Sequence, residues 1–236
     1  MSARVDLEKL LYVQVTSVLN QKRLRDSPPE ISRPALDHED DLTLREYALR
    51  DGKLQDNYRD VLAVSFMRRG SFSHLLVSNG TNQGPFIYPD EKTLIRATAE
   101  AFKSVVEVKN EYVTVGPMLA GWQLKTKQLP LLITKSMRYH CSLPDCYLAD
   151  PTRQYSTVEV VLDISTLYTQ GVRLDVRRLP SLHDALRYWA VPIGQHSQRD
   201  CIEAIQAGQA GLAIQMIEQD LVSMDQAVRR YYGEQV

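Results

Sequence analysis

The chain has 236 residues, 44% of them hydrophobic, and 28 Lys and Arg stand against 29 Asp and Glu for a formal net charge of −1. Those values exclude a disordered chain, and they exclude binding to nucleic acid through overall charge, which would need a local basic patch instead. No apolar run approaches the ~20 residues of a membrane span, the N-terminus lacks an apolar signal-peptide core, and Cys141, Cys146 and Cys201 make no even disulfide framework. The expectation is a cytoplasmic protein with reduced thiols and no membrane partner.

Alternation over Leu10–Leu19 predicts a strand with Leu11, Val13, Val15, Ser17 and Leu19 on one face and Tyr12, Gln14, Thr16 and Val18 on the other. Residues 21–59 change character, with Ser27-Pro-Pro-Glu, Arg33-Pro and the acidic run Asp37–Asp41. They read as an excursion inserted after the first strand, with a short helix over Leu42–Arg50. Val61–Met67 predicts a buried strand, Arg68-Arg-Gly70 a turn and Ser73–Val77 the returning strand of a hairpin, while Asn79-Gly80 and Gly84-Pro85 mark a loop. Asp90 caps a helix over Glu91–Val106, whose Leu94, Ile95, Ala97, Ala101, Phe102 and Val105 recur at helical spacing. Val113–Trp122 contains another strand, and Leu129–Tyr139 is a helix with proline in its first turn, where a missing N–H costs little. A loop over Cys141–Tyr155 precedes a strand that turns helical over Thr157–Leu167. Ser181 caps a helix to Ala190, and residues 201–236 hold C-terminal helices, one over Cys201–Gln206 and a long one over Gly211–Tyr232. Strands alternating with helices behind an early hairpin predict one α/β domain over 1–236, a mixed β-sheet flanked by helices.

The segment Leu119-Ala-Gly-Trp-Gln-Leu-Lys-Thr-Lys-Gln-Leu-Pro-Leu-Leu-Ile133 reads as a buried strand, a polar turn and a helix start. It resembles the second motif of the RNase H-like, DEDD-type 3′–5′ exonucleases of the family B-polymerase-like group, which place an aspartate just before Leu-Pro-Leu-Leu. Here that position is Gln128, and Gln123 stands near the family's asparagine. Other segments follow the family in order. Leu11-Tyr-Val-Gln-Val-Thr16 falls where the family has Asp-x-Glu-Thr, with Val13 at the aspartate and Val15 at the glutamate. Val161–Leu167 is similar to its Asp-Leu-Met-Asp-Leu strand, and Ser181–Gly194 to the segment that follows. Met216-Ile-Glu-Gln-Asp-Leu221 is similar to the third motif, with Met216 at the tyrosine and Asp220 kept. The resemblance implies an RNase H-like fold.

In the intact family four carboxylates hold two cations that clamp the scissile phosphate and activate a water. Hard cations need several anionic oxygens, and by this alignment only Asp220 is left. Valines offer no lone pair and an amide no charge. The resemblance therefore implies a catalytically degenerate, exonuclease-like pseudoenzyme with no cofactor, acting by binding single-stranded nucleic acid or a protein partner. Asp220 lies four residues from Met216 and Met224 and so faces inward on the last helix. Two readings of it stay open, a relic of the metal site or a carboxylate at the edge of the apolar stripe, hydrogen-bonded to backbone or paired with a nearby arginine. Gln123, Lys125, Lys127, Lys135 and Arg138 are candidate nucleic-acid contacts around the second motif, and Arg173, Arg177 and Arg178 form a second basic cluster, each set also readable as a solvated face.

Two alternatives stand beside this. One is an active exonuclease that uses Mg²⁺ or Mn²⁺, Asp220 being a metal ligand and Asp163, Asp184, Glu203 or the acidic excursion supplying displaced carboxylates. The other is an interaction subunit or homo-oligomer with no nucleic-acid role, docking through 21–59. His140, Cys141 and Cys146 are metal-ligating residue types at a spacing that matches no familiar zinc site. Trp122 and Trp189 read as core rather than as base-stacking platforms.

Overall fold

The computed structural model describes residues 5–26, 58–77, 86–110, 113–148, 161–171 and 179–233. After a 3-10 turn at Leu7–Lys9 the chain enters strand β1 (Leu11–Leu19) and a short helix α1 (Gln21–Asp26). It returns through β2 (Arg59–Arg68) and β3 (Ser71–Val77), a hairpin closed by Arg69 and Gly70, both at positive φ, as a two-residue primed turn requires. The Asn20 N–H donates to the Tyr58 carbonyl at 2.7 Å, and the Asn20 side chain donates to Asp60 at 2.7 Å. The excursion thus leaves and rejoins the sheet at one point. Its predicted helix at Leu42–Arg50 and acidic run Asp37–Asp41 lie outside the described residues, as do Asn79-Gly80 and Gly84-Pro85.

Next come β4 (Ile87–Tyr88) and α2 (Glu91–Ser104), the latter capped as expected, with the Thr93 N–H donating to Asp90 Oδ1 at 2.7 Å. The stretch expected to hold one strand holds two. β6 (Val113–Val115) pairs with β5 (Glu107–Asn110) in a separate two-stranded ladder, and β7 (Leu119–Gly121) joins the main sheet. Gly116-Pro117 separates them, because proline has no N–H to continue a ladder. The chain continues through α3 (Leu129–Arg138), β8 (Val161–Asp163), α4 (Ile164–Gly171), α5 (Leu182–Tyr188), α6 (Gln198–Gln206) and α7 (Ala210–Tyr231). Ser197 and Asp200 form a reciprocal capping box at the start of α6.

The main sheet runs β4-β3-β2-β1-β7-β8 and is mixed: β1 is antiparallel to β2 and parallel to β7, which is parallel to β8. The architecture is α/β, a six-stranded mixed sheet flanked by helices, and it is compatible with an RNase H-like fold.

The predicted alternation of β1 sorts the core. Leu11, Val13 and Val15 pack with Leu94, Ile95 and Phe102 of α2 and Leu131 and Leu132 of α3. Tyr12 points to the other face and joins Ile164 and Leu167 of α4, Ile205 of α6 and Ile217, Leu221 and Met224 of α7. A bulge at Leu62, opposite Thr16 and Ser17, lets Val61 rejoin the α2 face two residues past Ala63. Burying an aliphatic or aromatic side chain of this size contributes roughly 1.5–3 kcal/mol, so both faces are strongly pinned in register. Among the described residues no helix is long and apolar enough to cross a membrane.

Candidate functional site

The site is built around the end of β7. A Cβ at Gly121 would lie 2.6 Å from the Val13 carbonyl oxygen, so only glycine lets β7 approach β1 this closely. The chain then turns through Gln123, left-handed at φ 51°. It enters a π-helical turn, Leu124–Gln128, in which the Lys127 and Gln128 N–H groups both donate to the Gln123 carbonyl, at 2.9 and 3.1 Å. Such widened turns concentrate at functional positions. Asp163 at the end of β8 fastens this turn: Oδ2 accepts from the Lys125 N–H at 2.9 Å, and Oδ1 accepts from the Ser165 N–H at 3.0 Å and hydroxyl at 2.6 Å.

The wide turn carries Gln128 back beneath the sheet. Its Oε1 accepts from the Val15 N–H at 2.8 Å, and its Nε2 donates to the Trp122 carbonyl at 2.7 Å. Both ends of the amide are used, and each satisfies a main-chain group of a buried residue. A carboxylate could accept the first bond but not donate the second. Gln128 is therefore a clamp between β1 and the turn after β7.

Asp220 lies on α7 and is 6% exposed, facing inward as expected. Among the described residues it pairs with no arginine. Its Oδ1 receives His183 Nε2 at 2.7 Å and His196 Nε2 at 3.1 Å, and its Oδ2 accepts from Gln14 Nε2 at 3.0 Å. The two imidazoles pack edge to face, with ring centroids 5.0 Å apart. The hydrogen bond to Asp220 raises the His183 pKa above its ordinary value, against the opposing effect of burial. Gly194 makes room for this arrangement, since a Cβ there would lie 2.3 Å from His196 Nδ1. A cavity of about 320 Å³ opens over the cluster, lined by Gln14, Trp122, Gln123, Lys127, Gln128 and His183, among others.

The predicted site residues divide. Gln128, Gln123 and Lys127 line the same cavity as Asp220. Val15 lines it too and lends its N–H to Gln128, while Met216 is half-buried on α7. Val13 is fully buried with α2 and α3, on the opposite face of the sheet from Tyr12. The β1 residue that touches Asp220 is Gln14. Lys125 is exposed on the π turn. Lys135 corrects an expectation. It is fully buried and pairs with Glu91 at 2.8 Å, so it offers no phosphate contact. Arg138 is exposed but sits at the far end of α3, about 13 Å along the axis from Leu129. Arg173, Arg177 and Arg178 lie outside the described residues.

Among the described residues the displaced carboxylates do not assemble, and the acidic excursion Asp37–Asp41 lies outside them. Asp163 is consumed by the Lys125 and Ser165 bonds, Asp184 is exposed beside Ser181 and Arg187, and Glu203 pairs with Arg199 at 2.7 Å. Cys141, Cys146 and His140 form no metal-ligating cluster among the described residues. Trp122 is a core residue that also lines the cavity, and both it and half-buried Trp189 pack against Tyr168. His183, His196 and Gln14 escaped the sequence reading. They come from a helix start, a loop and a strand, with no fixed spacing to betray them. The available signal was Gln14, a polar residue between Tyr12 and Thr16 on one face of the predicted strand.

A comparison with protein-family models finds none that matches this chain, and no curated protein matches it.

Proposed function

We propose that this protein is a catalytically degenerate, exonuclease-like α/β protein that binds single-stranded nucleic acid in the cavity beside Asp220. The observation that carries the reading is Gln128. The position that the resemblance gives to a metal-binding aspartate is an amide engaged by two main-chain groups. Among the described residues Asp220 is the one carboxylate lining the cavity, and imidazoles and an amide surround it rather than further acids. Two-cation phosphoryl chemistry needs several anionic oxygens at one place.

The cavity lining favours a nucleic-acid base over an apolar peptide. Amides of Gln123 and Gln198, which line the cavity, offer donors and acceptors suited to base edges. Lys127 at the cavity and Lys125 on the same turn are exposed cations that can meet a phosphate backbone. Fluorescence anisotropy with labelled single-stranded DNA and RNA tests this at about 50 and about 200 mM salt. Binding is expected at the lower salt, weakening steeply at the higher, and a Lys125→Glu/Lys127→Glu variant should weaken it about tenfold or more. Absence of binding at low salt, or indifference to the two substitutions, would refute it and leave a protein partner as the better reading.

A further inference from the structure

The cluster of His183, His196 and Asp220 has a chemistry that neither a two-magnesium site nor its loss explains. We propose that these three side chains bind one divalent transition-metal ion, with zinc the first choice and Gln14 orienting the carboxylate. The inference is independent of the nucleic-acid reading above, because it uses only the ligating atoms.

Geometry carries it. One ligating atom from each residue lies within 4.8 Å of the other two. Both imidazole Nε2 atoms converge on the same carboxylate oxygen, at 2.7 and 3.1 Å. Tetrahedral zinc with bonds of about 2.0–2.1 Å separates neighbouring donors by about 3.3 Å. An ion between these atoms thus needs the two Nε2–Oδ1 pairs to open to about 3.3 Å from 2.7 and 3.1 Å, and the two imidazole nitrogens, within 4.8 Å of each other, to stand at the same spacing, which side-chain rotations can supply. The side chains are 12%, 6% and 8% exposed for His183, His196 and Asp220, so water competes little for the ion.

The ligands are also held. His183 sits in the first turn of α5 just behind the Ser181 cap, His196 is followed directly by the capping box of α6, and Asp220 is mid-helix in α7. Gln14 Nε2 donates to the outer carboxylate oxygen and leaves Oδ1 to the imidazoles, the outer-shell support typical of metal-binding carboxylates. Among the described residues Gln14 Oε1 is buried without a hydrogen-bond partner, a free acceptor on the amide that holds the carboxylate. Two nitrogens and one carboxylate oxygen select zinc or a related transition ion over magnesium, which prefers oxygen ligands and keeps several waters. Three protein ligands beside an open cavity leave a fourth position for water or an anionic oxygen.

The test is zinc binding to the full chain, by equilibrium dialysis with elemental analysis and by thermal shift. One zinc per chain is expected, with a rise in Tm that magnesium at the same concentration does not produce. Gln14→Ala should weaken binding by about 10–100-fold, His183→Gln/His196→Gln should abolish it, and Cys141→Ser/Cys146→Ser should leave it unchanged. Should the histidine variant not fold, cobalt substitution of the unaltered protein decides. A visible ligand-field band without sulfur-to-cobalt charge transfer supports the site. No zinc at one per chain, binding that survives loss of both histidines, or a thiolate band overturns it.

Discussion

Lys135→Met should destabilise the protein by about 3–5 kcal/mol, the usual cost of removing one member of a buried ion pair. At this chain length that corresponds to a fall in Tm on the order of 10 °C. Lys135 is fully buried, and its Nζ lies 2.8 Å from Glu91 Oε1 and 3.7 Å from Asp60. Glu91 also accepts from the Val61 N–H at 2.6 Å and from the Tyr139 hydroxyl. One carboxylate therefore ties β2, α2 and α3 together, and burial together with Glu91 raises the Tyr139 pKa. Methionine fills the space but leaves the acid without its cation. Urea unfolding of Lys135→Met, Glu91→Gln and the double variant checks this. The double variant should lose less than the sum of the two single losses, since the second substitution removes the stranded charge. A solvated lysine would give a loss within about 0.5 kcal/mol, which would contradict the burial.

Gln128→Glu is the second large effect, and it bears on function. It returns a carboxyl to the position where the resemblance places a metal ligand. Because the amide is a two-ended clamp, the change should cost about 2–4 kcal/mol at neutral pH. The bond to the Trp122 carbonyl is lost, and two acceptors then face each other. The pH dependence has a definite sign. The new carboxyl is favoured in its protonated form in the folded state, because only that form can donate to the carbonyl. Its folded pKa thus lies above the ~4.3 of an unfolded glutamate. The deficit relative to the unaltered protein is complete above that raised pKa and shrinks as pH falls through it. Chemical denaturation of both proteins at neutral pH and near pH 5 reads this directly. A substitution that is neutral at pH 7 would show that the clamp contributes nothing.

Much of the fold was legible in the sequence. The alternation in Leu11–Leu19, the Arg69-Gly70 turn, the Asp90 and Ser181 caps and the inward face of α7 all follow from local periodicity and capping, and each stands in the structure. The split of Val113–Trp122 into two strands was less visible, because it depends on which partner each half finds. Lys135 misled for a related reason. The sequence shows a lysine on a helix beside other lysines, and only the packing of α3 against Glu91 makes it internal. The candidate site was half legible. Asp220 and Gln128 stood out from the motif, whereas His183, His196 and Gln14 meet Asp220 only through tertiary folding, across separations in sequence of 37, 24 and 206 residues. Val13 shows the limit of aligning a strand by resemblance, since a shift of one residue moves a side chain to the other face of the sheet.

The most direct measurement is incubation of the pure protein with 3′- and 5′-labelled single-stranded DNA and RNA in Mg²⁺ or Mn²⁺, resolved at single-nucleotide resolution. If the amide at 128 and the imidazoles around Asp220 stand where acids would be needed, the strands keep their full length while still being bound. Metal-dependent shortening from the 3′ end that disappears in Asp220→Asn would mean that a working two-cation site exists and that the degenerate reading is wrong.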